Sequence, residues 1–165
     1  MTRIGRLLAG AVVTTAVVAG AALVSTWPSI RVLPENTAVV KLSFSHGGER
    51  ACRELTEAER AELPQNMRRK EICDRQRAPV YVELRMDGAS TFAASLPPTG
   101  LAGDGPSRLY EQFVLPAGTH RFDLRLRDTA GEEGFTYTAQ RELTLAPGQS
   151  LAIDFVPARG GFTFD

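Results

Sequence analysis

The sequence is poor in the residues that build reaction centres and metal sites. Its 165 residues include two cysteines, two histidines and one tryptophan. It contains no nucleophile-elbow pattern, no zinc-type histidine pair and no glycine loop of the kind that cradles phosphate. These shortages predict a protein that is not an enzyme and that needs no cofactor or metal.

The chain also lacks an excess of positive charge. Its 19 basic and 19 acidic residues give a formal net charge of zero. The first 33 residues hold three arginines and no acid, so 16 basic and 19 acidic residues remain in 34–165, a net charge of −3. Because affinity for nucleic acid comes from neutralising many phosphates, we expect no nucleic-acid partner.

A long apolar segment lies near the N-terminus. Residues 7–30 include no charged residue, and 7–24 are mostly Ala, Val, Leu and Gly. As a helix, 7–24 would rise about 27 Å, close to the hydrocarbon thickness of a bilayer. Arg3 and Arg6 precede the segment. The positive-inside rule therefore predicts a cytoplasmic N-terminus and an exported domain. We take the cell to be Gram-negative, from the export signal and the Arg- and Ala-rich composition, and so expect the domain on the periplasmic side of a bacterial inner membrane.

The far end of this segment leaves two interpretations open. Trp27 is placed to lie at the membrane interface, and Pro28 would end the helix. An uncleaved signal anchor fits the length of the run, whereas a cleaved signal peptide would need a small-residue site such as 19–21, which falls inside it. Ala16 and Gly20 form a small-x-x-x-small pair that would let another transmembrane helix approach closely.

Alternation of apolar and polar residues recurs through the rest of the chain and predicts strands. The predicted strands are 38–45, 80–86, 91–96, 108–115, 120–127, 135–145 and 151–156. We therefore predict a mainly β protein, with a transmembrane helix in 1–33 and an antiparallel, Ig-like β-sandwich in 34–165. The last two strands are expected to pair with each other across the turn 146–149.

One insertion, 52–73, interrupts the β pattern. Thr56 and Glu59 have the spacing of a capping box, which predicts a short helix to about Leu63. Pro64 would end that helix. The exported domain thus carries a short helical insertion between its first two predicted strands.

Cys52 and Cys73 stand at the two ends of the insertion. Export places them in an oxidising compartment, where paired cysteines form disulfides. A bridge between them would close a loop of 20 intervening residues, and the chain-entropy model assigns such a loop about 3 kcal/mol of stabilisation. The sequence therefore predicts a structural disulfide.

A redox pair and a soft-ligand metal site are the alternative uses of these cysteines. Sulfur and imidazole ligands suit Cu(I). The side chains that could contribute are those of His46, Cys52, Met67, Cys73, Met86 and His120. Their spacing matches no characteristic motif, and His120 also fits a strand surface that follows a turn, so the disulfide is the preferred prediction.

The turns of residues 80–156 follow a recognisable order. A strand ends in Met86-Asp87-Gly88, a Pro-Ala-Gly-Thr-His turn at 116–120 starts an alternating strand, and 134–137 lead to the turn 146–149. In this order the segment resembles PEGA domains, small extracytoplasmic β-sandwich modules of bacterial envelope proteins, although Gly-Phe stands for the family's Gly-Tyr and the central loop is longer. The resemblance implies a non-catalytic binding or spacer module without active-site residues.

Two groups of residues are candidate contact surfaces. The basic residues beside the second cysteine are Arg68, Arg69, Lys70, Arg75 and Arg77. With Glu71 and Asp74 they leave a charge of +3 in 68–77, which would suit an acidic partner or anionic lipid headgroups, or would simply be a solvated loop.

Phe162 and Phe164 form the second group. At a spacing of two they could add a strand to the protein's own sheet or to a neighbour's edge. Packing in the own sheet is the preferred prediction, because the preceding glycine pair permits a sharp return.

These features predict a non-catalytic, single-pass membrane protein with a periplasmic β-sandwich. We expect it to act as an accessory subunit or assembly factor of an inner-membrane complex, with another membrane or periplasmic protein as its partner. The alternative is an envelope module that binds a ligand or a metal such as copper.

Overall fold

Residues 3–26, 33–131 and 134–165 are described by the structure, a computed structural model. The chain divides into two units, Met1–Pro34 and Glu35–Asp165. The first contains helix α1 (Arg3–Thr26), which has no acidic residue in its first turn and rises about 36 Å. Among the described residues, α1 alone is long and apolar enough to cross a membrane. The predicted apolar helix is confirmed, while Trp27 and Pro28 lie outside the described residues.

Strands make up most of the second unit. In the described residues they are β1 (Thr37–His46), β2 (Arg50–Glu54), β3 (Glu71–Arg77), β4 (Val80–Met86), β5 (Ala89–Leu96), β6 (Ser107–Pro116), β7 (Gly118–Arg127), β8 (Tyr137–Leu145), β9 (Ser150–Val156) and β10 (Gly161–Phe164). A short helix, α2 (Glu57–Glu62), and a 3₁₀ turn at Gln65–Met67 lie between β2 and β3.

Eight of these strands form a sandwich of two four-stranded sheets. The first sheet has the order β10-β9-β1-β6 and the second β5-β4-β7-β8, while β2 and β3 form a separate hairpin. The pairings within the described chain are antiparallel except that of β1 with β9, which is parallel. The predicted sandwich is confirmed, with one parallel pair that the sequence did not indicate.

The core lies between the two sheets and follows the alternation of the sequence. Fully or nearly fully buried side chains come from both sheets; they include Val40, Leu42, Phe44, Ile153 and Phe155 of the first and Val82, Leu84, Phe122, Leu124 and Leu126 of the second. Because side chains alternate across a strand, the residues between these face outward. Lys41 and Ser43 are accordingly only half-buried, and Ser45 is exposed.

The turn at Asp87 and Gly88 closes the β4–β5 hairpin as predicted. Met86 pairs with Ala89, so the loop has two residues. Both have positive φ, +52° for Asp87 and +84° for Gly88, which is the backbone of the turn that matches the twist of a hairpin.

The predicted pairing of the last two long strands is wrong. β8 pairs with β7 in the second sheet, whereas β9 pairs with β1 and β10 in the first. The turn between β8 and β9 therefore crosses from one sheet to the other. A local turn signal shows that the chain reverses, and it does not show whether the next strand stays in the same sheet.

The C-terminal strand β10 belongs to the protein's own sheet. It pairs antiparallel with β9, and the ring of Phe162 packs edge-on against Phe155 at a centroid distance of 5.1 Å. Phe162 and Phe164 are half-buried against the core. Gly160 and Gly161 have φ of +89° and +131°, which provides the return that the glycine pair predicted. The own-sheet interpretation is confirmed.

Gly48 lies where the chain leaves the sandwich to form the β2–β3 hairpin. It is buried, and a Cβ atom at this position would overlap the backbone carbonyl of Ala78, which returns from the hairpin. The Ala78 N–H donates to the Glu49 carbonyl at 2.7 Å, and the Glu49 N–H donates to the Asp128 carbonyl at 2.7 Å. The two ends of the hairpin thus meet in a tight junction, which is possible because Gly48 has no side chain.

Replacement of Gly48 by alanine is expected to destabilise the domain by about 1–3 kcal/mol, the usual cost of overpacking. The control is Gly131→Ala, because a Cβ at Gly131 meets no atom of the described residues within 4 Å. Urea denaturation of both variants provides the measurement. Equal stabilities would contradict the tight junction.

His120 joins two turns at the opposite end of the sandwich. Its Nδ1 bonds to Asp87 Oδ2 at 2.7 Å and its Nε2 to the Pro116 carbonyl at 2.8 Å. Asp87 Oδ1 also accepts from the Arg121 N–H at 2.8 Å. A neutral imidazole has one N–H, so only the protonated ring donates to both acceptors. The bond to Asp87 therefore raises the pKa of His120, against the opposing effect of desolvation.

The free energy of unfolding is expected to fall as pH rises from about 6.5 through the raised pKa of His120. The protonated ring stabilises the fold fully below the pKa of an unfolded histidine, about 6.5, and loses that effect as the folded ring deprotonates. Denaturation at several pH values tests this: His120→Gln should flatten the dependence, and His46→Gln should retain the His120 contribution. An unchanged slope in His120→Gln would refute it.

Candidate interaction site

Residues 50–77 project from the sandwich as an extension, here called the arm, made of β2, α2, the 3₁₀ turn and β3. No residue of 50–77 is buried; the least exposed, such as Leu55 and Ile72, are half-buried. The arm begins after the end of β1, and the chain enters the sandwich at the start of β1, ten residues earlier. At about 3.3 Å per residue, the arm leaves the sandwich about 30 Å from where the chain enters it.

The sequence predicted only part of this extension. It indicated the helix and its cap, and both are present, but it did not indicate the hairpin of β2 and β3. Those strands are exposed along nearly their whole length. Without a buried face they show no alternation, which is the signal by which strands are recognised.

The predicted disulfide holds the two strands of the arm together. Cys52 lies opposite Cys73 in the β2–β3 pairing, and the two are bonded. A two-stranded hairpin without a buried face is marginal in water by itself. The crosslink therefore provides the constraint that the arm lacks in core contacts.

Glu59 links α2 to strand β2. Its carboxylate accepts from the Thr56 backbone N–H at 2.9 Å and from two nitrogens of Arg53, at 2.9 and 3.2 Å. The Thr56 hydroxyl in turn accepts from the Glu59 N–H, which completes the predicted capping box. The hydrogen bond from Arg53, then those of Thr56, lower the pKa of Glu59 to about 2. Glu59 is therefore ionised, and the pair stays formed, throughout the physiological pH range.

Arg77 fixes the base of the arm. Its guanidinium donates to the Gly48 carbonyl and to the Asp104 carbonyl, each at 3.0 Å, and its backbone N–H donates to Gly103 at 2.9 Å. It is half-buried, unlike the other basic residues of the predicted patch. Its role in the structure is to attach the arm to the β5–β6 loop.

His46 and Asp128 form a second contact near this base. His46 Nε2 lies 2.8 Å from Asp128 Oδ2, and both side chains are largely buried. Burial alone would raise the pKa of Asp128, but the hydrogen bonds from His46 and Thr136 outweigh it and lower the pKa. The His46 ring also packs edge-on against Phe155 at 4.9 Å, which connects the arm's base to the core.

Arg68, Arg69 and Lys70 lie together, exposed, at the far end of the arm. They face Arg60, Glu57 and Ala61 of α2 across an open cleft of about 390 Å³, here called the basic cleft. Arg75 is exposed on β3 but does not line the cleft. Of the five predicted basic residues, the structure thus brings three together.

Arg60 is the residue of the basic cleft that the sequence did not indicate. It is the single basic residue within α2, between Glu57, Glu59 and Glu62. By sequence it belongs to an acidic helix, eight positions before Arg68. The disulfide closes the loop that contains both residues and so brings Arg60 beside Arg68. The cysteine pair was therefore the feature of the sequence that could have indicated this contact.

The cysteines and histidines considered for copper have other partners. The sulfurs of Cys52 and Cys73 are bonded to each other. His46 and His120 each contact a carboxylate, near opposite ends of β7. Among the described residues, no group of three or more His, Cys, Asp or Glu side chains could hold a metal ion.

Comparison with known proteins adds no family assignment. No family model matches the chain, and no curated protein is significantly similar to it. The similarity to PEGA domains therefore stays a prediction from turn chemistry.

Replacement of both cysteines by serine is expected to loosen the arm and leave the sandwich intact. The loss, about 3 kcal/mol for a loop of this size, should appear as faster amide exchange in β2 and β3. The melting temperature of the sandwich should change by less than about 2 °C, because the arm buries no core residue. Hydrogen-exchange mass spectrometry and calorimetry measure the two effects. Global unfolding of the variant would contradict this division.

Proposed function

We propose that this protein is a non-catalytic accessory subunit or assembly factor of a bacterial inner-membrane complex. In this proposal α1 is an uncleaved anchor and the sandwich is a periplasmic domain. Arg3 and Arg6 at the start of α1 support a cytoplasmic N-terminus by the positive-inside rule. The bonded cysteines support a domain in an oxidising compartment.

The exposed but ordered arm is the main support for this proposal. It contributes nothing to the core, yet a disulfide, a capped helix and an arginine–carboxylate pair hold its shape. An ordered projection without a role in core packing is suited to contact with another molecule. Its exposed basic cleft provides the charged surface for that contact.

Tethering by the helix is the proposed mechanism. An anchored domain and a partner in the same membrane meet at a high effective concentration, so a modest interface suffices for stable association. The sandwich acts as a rigid support that presents the arm away from the end at which Glu35 enters the domain. The resemblance to PEGA modules is consistent with such a non-catalytic role.

Purification from native membranes tests the proposal. The full-length protein, tagged at its N-terminus, is solubilised in mild detergent and compared with a variant in which two glycines replace 50–77. The structure favours this closure because Glu49 and Ala78 are already hydrogen-bonded at 2.7 Å. We expect the wild type to retain another membrane protein in a stoichiometric amount and the arm deletion to lose it.

The melting temperature of the arm deletion is the control for this experiment. It should match that of the wild type, so that loss of the partner reflects loss of the arm rather than unfolding. A wild-type protein that purifies as a monomer or homodimer would refute the accessory role. A partner retained by the arm deletion would show that the arm is not the contact.

A further inference from the structure

The basic cleft carries positive charge that the arm does not neutralise. Its lining has four cationic side chains, Arg60, Arg68, Arg69 and Lys70, against one carboxylate, Glu57. Within the described part of the chain, the side chains of Arg69 and Lys70 have no hydrogen-bond or ion-pair partner. Because like charges repel one another, the cluster destabilises the arm unless an anion is bound.

Two guanidinium groups of the basic cleft are already held in place. Arg68 Nε donates to the Leu63 carbonyl at 3.3 Å, and an Arg60 terminal nitrogen lies 3.5 Å from a Glu57 oxygen. The Nε atom of Arg60 is buried and has no partner among the described residues. Guanidinium groups bind carboxylates through paired hydrogen bonds, and prior positioning lowers the entropy lost on binding.

We propose that the basic cleft binds an acidic segment of a partner protein, through aspartate or glutamate side chains. This inference rests on the proposed function and identifies the partner's chemistry. A concave site with a local charge of +3 fits a short run of carboxylates. Residues Arg60 and Arg68 would form the inner contacts, and Arg69 and Lys70 would provide the outer charges.

The charges around the cleft favour a protein segment over a lipid surface. Residues 50–77 contain eight basic and six acidic residues, so the arm as a whole carries a net charge of only +2. The acids include Glu54, Glu62 and Glu71, which are all exposed. A flat anionic membrane would meet these carboxylates as well as the basic residues, whereas a segment seated in the cleft would avoid them.

Binding of a model peptide by the full-length protein tests this inference. The probe is a fluorescein-labelled peptide of about ten residues that alternates Glu and Gly, measured by anisotropy with the protein in detergent. Arg69→Gln/Lys70→Gln should weaken binding by about tenfold, because two charges are lost and no intramolecular contact is removed. Raising the ionic strength from about 0.05 M to about 0.5 M should weaken wild-type binding by a similar factor.

The matched control is Arg108→Gln/Arg141→Gln. Both arginines are exposed on the sandwich, in β6 and β8, and their replacement changes the net charge equally. This control should bind the peptide within about twofold of the wild type. Equal loss in both variants, or no binding by the wild type, would overturn the inference. Binding to phosphatidylglycerol vesicles but not to the peptide would overturn it in favour of a lipid surface.

Purification of Arg69→Gln/Lys70→Gln from native membranes separates this inference from the proposed function. If the arm deletion loses its partner and this variant keeps it, the accessory role stands and the acidic-segment inference fails. If the wild type has no partner, the accessory role fails, while the peptide measurement still decides whether the basic cleft binds carboxylates.

Discussion

Strand β1 connects the parts of the domain, because it pairs with β6 on one side and with β9 on the other, and the chain forms the arm shortly after it ends. Its side chains Ala38, Val40, Leu42 and Phe44 are all buried in the core. A slip of one residue would turn Lys41 and Ser43 inward, so the pattern admits only one register. That register aligns β6 and β9 and places Gly48, and with it the arm, at the end of the sandwich. Both the core and the candidate contact surface thus depend on this strand.

Core packing and the proposed contact surface lie in separate parts of the molecule. The sandwich buries the apolar side chains that drive folding. The arm instead relies on a disulfide, a capping box and the Arg53–Glu59 ion pair, which act within 50–77. Such local constraints set the arm's shape without coupling it to the core. Changes of charge at the arm's surface are therefore expected to leave the sandwich unaffected, which lets such a surface adapt to a partner.

Residues that look alike in the sequence differ in the folded chain. Arg77 and Arg69 lie in the same basic run, but Arg77 donates to two backbone carbonyls at the arm's base and Arg69 is exposed in the basic cleft. The sequence allowed Phe162 and Phe164 to form a strand of the protein's own sheet, which was the preferred prediction, or to pair with a neighbour's edge. The return at Gly161 places them against the core. The composition of a segment shows which side chains are present. Contacts with residues distant in the sequence determine whether those side chains are buried or exposed.

Five features could be predicted from the sequence: the apolar helix, the alternation of the long strands, the β4–β5 turn, the helix cap and the cysteine pair. Each depends on residues close in the chain or on a chemical pairing that the compartment favours. Three arrangements became visible only in the folded chain: β9 lies parallel to β1, β2 pairs with β3, and Arg60 lines the same cleft as Arg68. These arrangements join segments far apart in sequence, and an exposed strand shows no apolar pattern. Local periodicity records which side of a strand is buried; which strand lies beside it depends on the packing of the whole chain.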